Sequence, residues 1–402
     1  MRALVYTQSI PRYLLSRFYY RFGPRRFVPV LSSLSLRELS LTPPGPEWII
    51  LRNRFCGICG SDLNLLKGAE SYLLEPYGSF PAVLGHEALA EVAEAPPGSE
   101  WREGERVVVE PVLPCEVRDL PPCRYCSRGE YNLCENFTQG RLAPGVTIGF
   151  NRDAGGGMAE FMAAHPSRLV RLPANLADDA AVLTDSLASA LQPVLDHLPG
   201  DGDTVVVYGA GIIGQHLLRL VRLLVPGARL VAVARYAFQE DLARAGGADT
   251  ILMSPGREEL AAAVGARMLS TTLGGGNLEG GADFFFDCVG SNSSMQEGVL
   301  ALRARGTYVL VGTAGMMPRV DLSSVWFREL KLTGTAMYGH GYFQGQRVRT
   351  YEMAVDLLSR GGYPAQGLLT HTFPLAEYRQ AFQAAFDKRR YKSMKVALDL
   401  RK

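Results

Sequence analysis

Two groups of side chains in this chain have the types and spacing of metal ligands. Cys115, Cys123, Cys126 and Cys134 fall in one short stretch, downstream of Cys56-Gly-Ile-Cys59-Gly-Ser61-Asp62 and Gly85-His86-Glu87. Four thiolates close a metal site and serve structure, whereas a catalytic zinc keeps three protein ligands and one open position for water or substrate. The four-cysteine group therefore reads as structural and the Cys/His group as catalytic. That division points to an enzyme.

A third motif supplies a partner for such a metal. Val207-Tyr208-Gly209-Ala210-Gly211-Ile212-Ile213-Gly214 follows an apolar run and opens a helical one. Its glycines permit a tight turn, a close approach of backbone to a pyrophosphate and the packing of helix on strand, with the helix N-terminus facing the negative charge. A nicotinamide dinucleotide is the expected ligand. Cofactor choice is read at the tip of the next strand, where a carboxylate binds the ribose 2′-hydroxyl of NAD. Here the tip is Val233-Ala234-Arg235-Tyr236, with no acid. Arg235 is placed to pair with a 2′-phosphate, so NADP(H) is expected in preference to NAD(H).

The elements that must hold these residues fall into three regions. Up to about residue 185 the chain is rich in short β-like runs broken by Gly and Pro, such as Glu87–Val92 and Arg106–Glu110. From about 200 to 340, strands alternate with helices: Thr204–Tyr208, Ile212–Val225, Arg229–Val233, Gln239–Ala245, then strands at Ala282–Asp287 and Gly306–Val311. Alternation of this kind predicts a parallel sheet covered by helices on both faces. The last stretch carries two amphipathic helices, near Arg349–Ser359 and Leu375–Phe386, and a strand near Met394–Leu398 that folds back onto the first region.

With 402 residues, 47% of them apolar and 20% charged, two domains are expected. The net charge of +2, with basic residues scattered, carries no nucleic-acid footprint. No apolar run reaches the roughly twenty residues of a membrane span, and the N-terminus lacks a signal-peptide layout, so a cytoplasmic address is expected. In that setting closely spaced cysteines point to metal. Cys288, alone after Phe286-Asp287, reads as a small buried hydrophobe. Near the N-terminus Arg12, Arg17, Arg21, Arg25 and Arg26 alternate with Tyr13, Phe18, Tyr19, Tyr20, Phe22 and Phe27. A surface helix with its aromatic side packed on the domain is expected there, and a lid or anion-recognising surface is the alternative.

Cys59-Gly60-Ser61-Asp62, Gly85-His86-Glu87, the cysteine lobe and the glycine turn occur in the order found in zinc-dependent medium-chain alcohol and polyol dehydrogenases, and the resemblance covers nearly the whole chain. It implies an α/β chain with a β-rich GroES-like catalytic domain (1–190 and 341–402) and an inserted Rossmann doubly wound parallel-sheet domain (191–340). By resemblance, Cys59 and His86 bind the catalytic zinc, Glu87 is a neighbouring carboxylate able to move onto the metal, Cys56 is not a ligand, and Asp185 is the third ligand. A helix N-cap is the competing role for Asp185. Ser61 resembles the hydroxyl that passes the proton, with an N-cap as its alternative. Asn64 stands where a relay histidine is usual, so a different group must continue the relay.

In the cysteine lobe Cys123, Cys126 and Cys134 keep the family's intervals of two and seven residues, while Leu120 occupies the first cysteine's usual place. Cys115 must then reach the metal through a longer loop. His165, His197, His216 and His371 are expected to be structural, and His340, in Tyr338-Gly-His-Gly-Tyr342, to lie in a surface turn near the cleft. The function implied is hydride transfer between NAD(P)(H) and a secondary alcohol or polyol, or the corresponding ketone, in a homodimer or homotetramer. The alternatives are a zinc-free quinone or enoyl reductase of the same superfamily and a non-catalytic cofactor-binding protein; the set Cys59, His86 and Asp185 argues against both.

Overall fold

The structure, a computed structural model, describes residues 1–22, 26–274, 276–313 and 315–402. Arg25, one of the arginines singled out above, lies outside the described residues. The chain divides into two compact units: Met1–Asp185 with Tyr338–His340 and Tyr351–Lys402, and Ser186–Met337 with Gly341–Thr350.

The second unit is built on a six-stranded parallel sheet, ordered Thr250–Met253, Arg229–Ala234, Thr204–Tyr208, Ala282–Asp287, Leu302–Leu310, Lys331–Gly334. Val205, Val206 and Val207 have no exposed surface, as expected of a parallel strand covered on both faces. Val206, Val231, Phe285 and Tyr308 belong to its core. The strand order reverses direction beside Thr204–Tyr208, and in such sheets the crevice at the carboxyl ends of the strands at that point binds ligands. The strand foreseen from Gly306 starts earlier, at Leu302. Cys288 follows the end of Ala282–Asp287 and is half-buried, not a core residue.

In the first unit the larger sheet has seven strands. Their order is Leu369–Pro374, Lys395–Asp399, Ile49–Gly57, Glu87–Glu94, Arg106–Val109 and Leu169–Arg171, with Phe161–Ala164 also pairing Ile49–Gly57. The C-terminal return is real: Ala397, Leu398 and Asp399 pair antiparallel with Gly57, Cys56 and Phe55. This pairing fixes the last strand beside the two segments that carry Cys59 and His86.

The arginine-rich segment forms a helix, Ile10–Phe22, whose orientation departs from the expectation. Tyr20 packs on the core and Ser16 is buried, but Ile10, Leu14, Leu15, Phe18 and Phe22 all face outward. Tyrosines serve as the inner aromatic side because their hydroxyls find partners there. Tyr20 Oη lies 3.2 Å from Ser32 Oγ and accepts the Val28 N–H at 3.1 Å.

Candidate active site

Cys59 caps the helix Gly60–Lys67, and the Asp62 carboxylate accepts the Cys59 backbone N–H at 2.9 Å. Ser61 is thus the second residue inside the helix, and the N-cap role considered for it belongs to Cys59. His86 and Glu87 enter at the start of the strand Glu87–Glu94. Ligand atoms of Cys59, His86 and Glu87 lie within 4.8 Å of one another, close enough to share one ion.

The surroundings test whether a metal fits. His86 Nδ1 faces Asp62 Oδ1 at 3.8 Å, and both atoms are buried without a hydrogen-bond partner. Leaving buried polar atoms unpaired costs about 1–3 kcal/mol each, a penalty relieved when Nδ1 carries its proton toward Asp62, which would leave the other ring nitrogen to a metal. Burial opposes the imidazolium, but the Cys59 thiolate, Asp62 and Asp185 outweigh it and hold the His86 pKa well above the usual value. The pocket therefore favours positive charge at that ring. A carboxylate behind a histidine is also the arrangement that orients a ring for metal binding.

Two further groups compete for the carboxylates. Lys395, 2% exposed, forms a buried ion pair with Glu87. Tyr338 donates its hydroxyl proton to Asp185, which lies in the first turn of the helix Thr184–Asp196, past the cap position. Asp185 stands outside the 4.8 Å set. Burial and the charge of Glu87 push its pKa up to about 6. Glu87 is thus the carboxylate grouped with Cys59 and His86 as a ligand set, while Asp62 backs the histidine ring and Asp185 is engaged by a tyrosine. Glu70 is raised to about 7 by burial and by the charge of Asp62. Spacing alone missed Lys395 and Tyr338. Their signals were a lysine opening the apolar run Lys395-Val-Ala-Leu398 and a tyrosine two residues before the histidine that drew notice. His340, expected in a surface turn, instead opens the strand His340–Phe343 and is half-buried, with its backbone N–H donating to Gly129 O at 3.0 Å and its ring beside Tyr131.

The four cysteines of the lobe also converge, with all four sulfurs within 4.8 Å and none in a disulfide. Cys115 Sγ lies 3.5 Å from Cys134 Sγ, so the longer loop does bring Cys115 round. Backbone N–H groups of Cys123 and Asn136 donate to Cys115 Sγ and Cys134 Sγ, both at 3.3 Å, and Asn136 Nδ2 donates to Cys115 Sγ at 3.2 Å. At Cys123, burial is outweighed by backbone N–H groups of Cys126, Glu135 and Tyr125, which lower its pKa to about 6, whereas burial pushes Cys134 up to about 11. Arg118, fully buried, anchors the loop. Its guanidinium donates to the carbonyls of Leu113, Gln139, Leu142, Ala143 and Gly145. Nothing in the spacing identified it, since an arginine satisfied by carbonyls leaves no paired acid in the sequence.

In the second unit the glycine turn runs from Thr204–Tyr208 into the helix Ile212–Leu224. Gly209 has φ +104°, which disfavours any side chain, and a Cβ at Gly214 would overlap the Gly209 carbonyl. At Gly211, the N-cap, a Cβ would meet nothing within 4 Å. The turn is tight where helix meets strand and open where a phosphate would lie, with Ile212 and Ile213 starting the helix. Arg235 is exposed, one residue past the end of Arg229–Ala234, and its guanidinium lies 5.7 Å from the Tyr236 ring centre. His216 is fully buried with Nε2 3.1 Å from Ser186 Oγ, the structural role expected of it.

Comparison with known proteins agrees with this geometry. Residues 45–174 match the alcohol dehydrogenase GroES-like domain and residues 213–360 the zinc-binding dehydrogenase family. The chain is 28% identical to sorbitol dehydrogenase of Homo sapiens over 361 residues, covering 87% of this chain and 89% of that one. With D-arabitol-phosphate dehydrogenase of Enterococcus avium it shares 25% over 376 residues, 92% and 96% of the two chains. A Sinorhizobium meliloti 1021 protein solved with NADP superposes with a TM-score of 0.72 at 25% identity, covering 91% of this chain and 96% of that one. Among the described residues no helix is long and apolar enough to cross a membrane. With a GroES-like domain, a Rossmann parallel sheet and these relatives, the chain belongs to the zinc-dependent medium-chain alcohol and polyol dehydrogenases.

Proposed function

We propose that this NAD(P)-dependent alcohol dehydrogenase acts on a polyol or sugar-derived secondary alcohol, or its ketone, with NADP(H) preferred over NAD(H). The observation that carries the reading is the convergence of Cys59, His86 and Glu87 ligand atoms within 4.8 Å, with the Asp62 carboxylate behind the His86 ring. When bound at that set, zinc supplies a Lewis acid for the substrate oxygen, and a bound nicotinamide supplies the hydride acceptor or donor.

The chain's own residues do the rest. Asp62 orients His86, and Cys59 and His86 hold the metal with one carboxylate. Lys395 holds Glu87, and Tyr338 holds Asp185; release of either acid would let it serve as third ligand, so the two form an exchangeable pair. Ser61, at the start of the Cys59 helix, takes the substrate hydroxyl proton. Asn64 cannot pass it on, so another group must continue the relay. Cys115, Cys123, Cys126 and Cys134 bind a second, structural zinc. Gly209, Gly211, Ile212, Ile213 and Gly214 cradle the pyrophosphate, and Arg235 meets the 2′-phosphate. The reading extends to a cytoplasmic homodimer or homotetramer.

The test is dinucleotide reduction followed at neutral pH with sorbitol, xylitol, arabitol and their phosphates, with each cofactor, before and after chelation. Metal-dependent turnover with a higher specificity constant for NADP is expected, and Arg235→Ala should lower that preference roughly tenfold or more. Turnover that survives removal of all zinc would refute the metal role, and a higher constant for NAD would refute the cofactor preference.

A further inference from the structure

We infer that the helix Ile10–Phe22 and the adjoining turn Tyr72–Tyr77 form a docking surface for an anionic lipid bilayer. The helix is turned the wrong way for a segment that meets only water. Ile10, Leu14, Phe18 and Phe22 recur every four residues on one stripe, with Leu15 beside it, and they are 73%, 53%, 69%, 72% and 56% exposed. Ser16 and Tyr20 take the inner face, so the more polar side packs inward and the apolar side outward. A free choice between the two faces would bury the leucines and phenylalanines.

The turn Tyr72–Tyr77 enlarges the same surface. The Tyr13 and Tyr72 rings lie 5.7 Å apart and the Arg17 guanidinium sits over Tyr72 at 5.4 Å, so the two segments adjoin. Tyr72, Leu73 and Leu74 are 57%, 84% and 57% exposed. The exposed apolar side chains of the two adjoining segments are thus more than singly scattered surface residues.

Charge selects the occupant. The helix contains Arg12, Arg17 and Arg21 and no acid. Arg12 and Arg17 flank the apolar stripe on its two sides and Arg21 lies within it, by helical geometry. Tyr20 and Phe27 contact the buried Phe386, and the helix Lys388–Tyr391 that follows it carries the exposed Arg389 and Arg390. Glu75 and Asp387 are the acids of these outer segments. A helix with an apolar stripe edged by arginine is the form that lies in a bilayer interface and responds to anionic lipid. A two-fold contact with a second copy through this patch would set its arginines against one another.

The full chain should be sedimented with vesicles of phosphatidylcholine alone and of phosphatidylcholine with phosphatidylglycerol. Binding to the anionic vesicles only, weakening with salt, is expected. Arg12→Gln with Arg21→Gln should lower the partition about 25-fold, at about fivefold per arginine. Leu14→Glu with Phe18→Glu, at exposed positions, should abolish it with an unchanged circular dichroism spectrum and unchanged sedimentation in the absence of lipid. No binding to either vesicle, or equal binding by wild type and the Leu14/Phe18 variant, overturns the inference. So does a smaller assembly of that variant in lipid-free solution, which would give the face to a second copy of the chain.

Discussion

The two metal-ligand groups of the first unit solve the burial of reactive side chains in opposite ways. In the cysteine lobe all four sulfurs face one another, backbone and Asn136 donors point at them, and Arg118 pins the supporting loop with carbonyls alone. Every ligand there has one task. Around Cys59 and His86 the acids have two possible partners each: Glu87 lies with Cys59 and His86 yet is paired with Lys395, and Asp185 is bonded to Tyr338. The closed group reads as a fastening, and the contested group as a site whose ligands can exchange. A structural metal is best served by ligands with no alternative, and a catalytic one by ligands that can yield.

The comparison breaks first at the lobe. A structural zinc contributes on the order of ten kcal/mol in small peptides, so Cys126→Ser should cost the lobe its order and shift thermal unfolding far downward. Thermal unfolding by circular dichroism measures it, and an unchanged midpoint would mean that the tetrad is not a fastening. Lys395→Met probes the contested site. With metal removed, it leaves Glu87 buried without its cation, at a cost of about 3–5 kcal/mol. With zinc bound, the penalty should shrink because the metal takes over the Glu87 charge. Urea titrations of both forms decide, and equal penalties would show that Glu87 never approaches the metal.

Glu70 gives the smallest effect. Its pKa is raised from 4.5 to about 7 in the folded chain, so between those values the folded state holds a proton the unfolded state has released. The protein therefore loses stability as pH rises through that window. Glu70→Gln should recover about 1–2 kcal/mol at pH 8 relative to pH 4.5, allowing for partial contact with solvent. Denaturant midpoints at the two pH values check it; a gain at low pH would reverse the sign.

The sequence made the closed group and the cofactor turn more legible than the contested site, for a physical reason. Short-range spacing fixes which cysteines can meet, and the turn at Gly209–Gly214 is set by local backbone demands, so both were visible in a few residues. Cys115 was foreseen through its longer loop, but not the buried Arg118 that stabilises that loop. The parallel strands Thr204–Tyr208 and Ala282–Asp287 fall where their apolar runs predicted. The contested site is assembled from Cys59, His86, Asp185, Tyr338 and Lys395, which are far apart in the chain. Which acid meets which cation is decided only when the strand Lys395–Asp399 pairs beside Ile49–Gly57. Even the N-terminal helix, whose existence was evident, kept its orientation hidden, because tyrosine and phenylalanine look alike in a pattern yet differ in what they can satisfy inside.

The central claim, one fastening metal and one reacting metal, is tested most directly by zinc content and turnover measured together on Cys59→Ser. Wild type should hold two zincs per chain. The variant should retain one, keep its fold by circular dichroism, and lose alcohol oxidation. A variant that still holds two zincs, or that turns over substrate at the wild-type rate, would contradict the account.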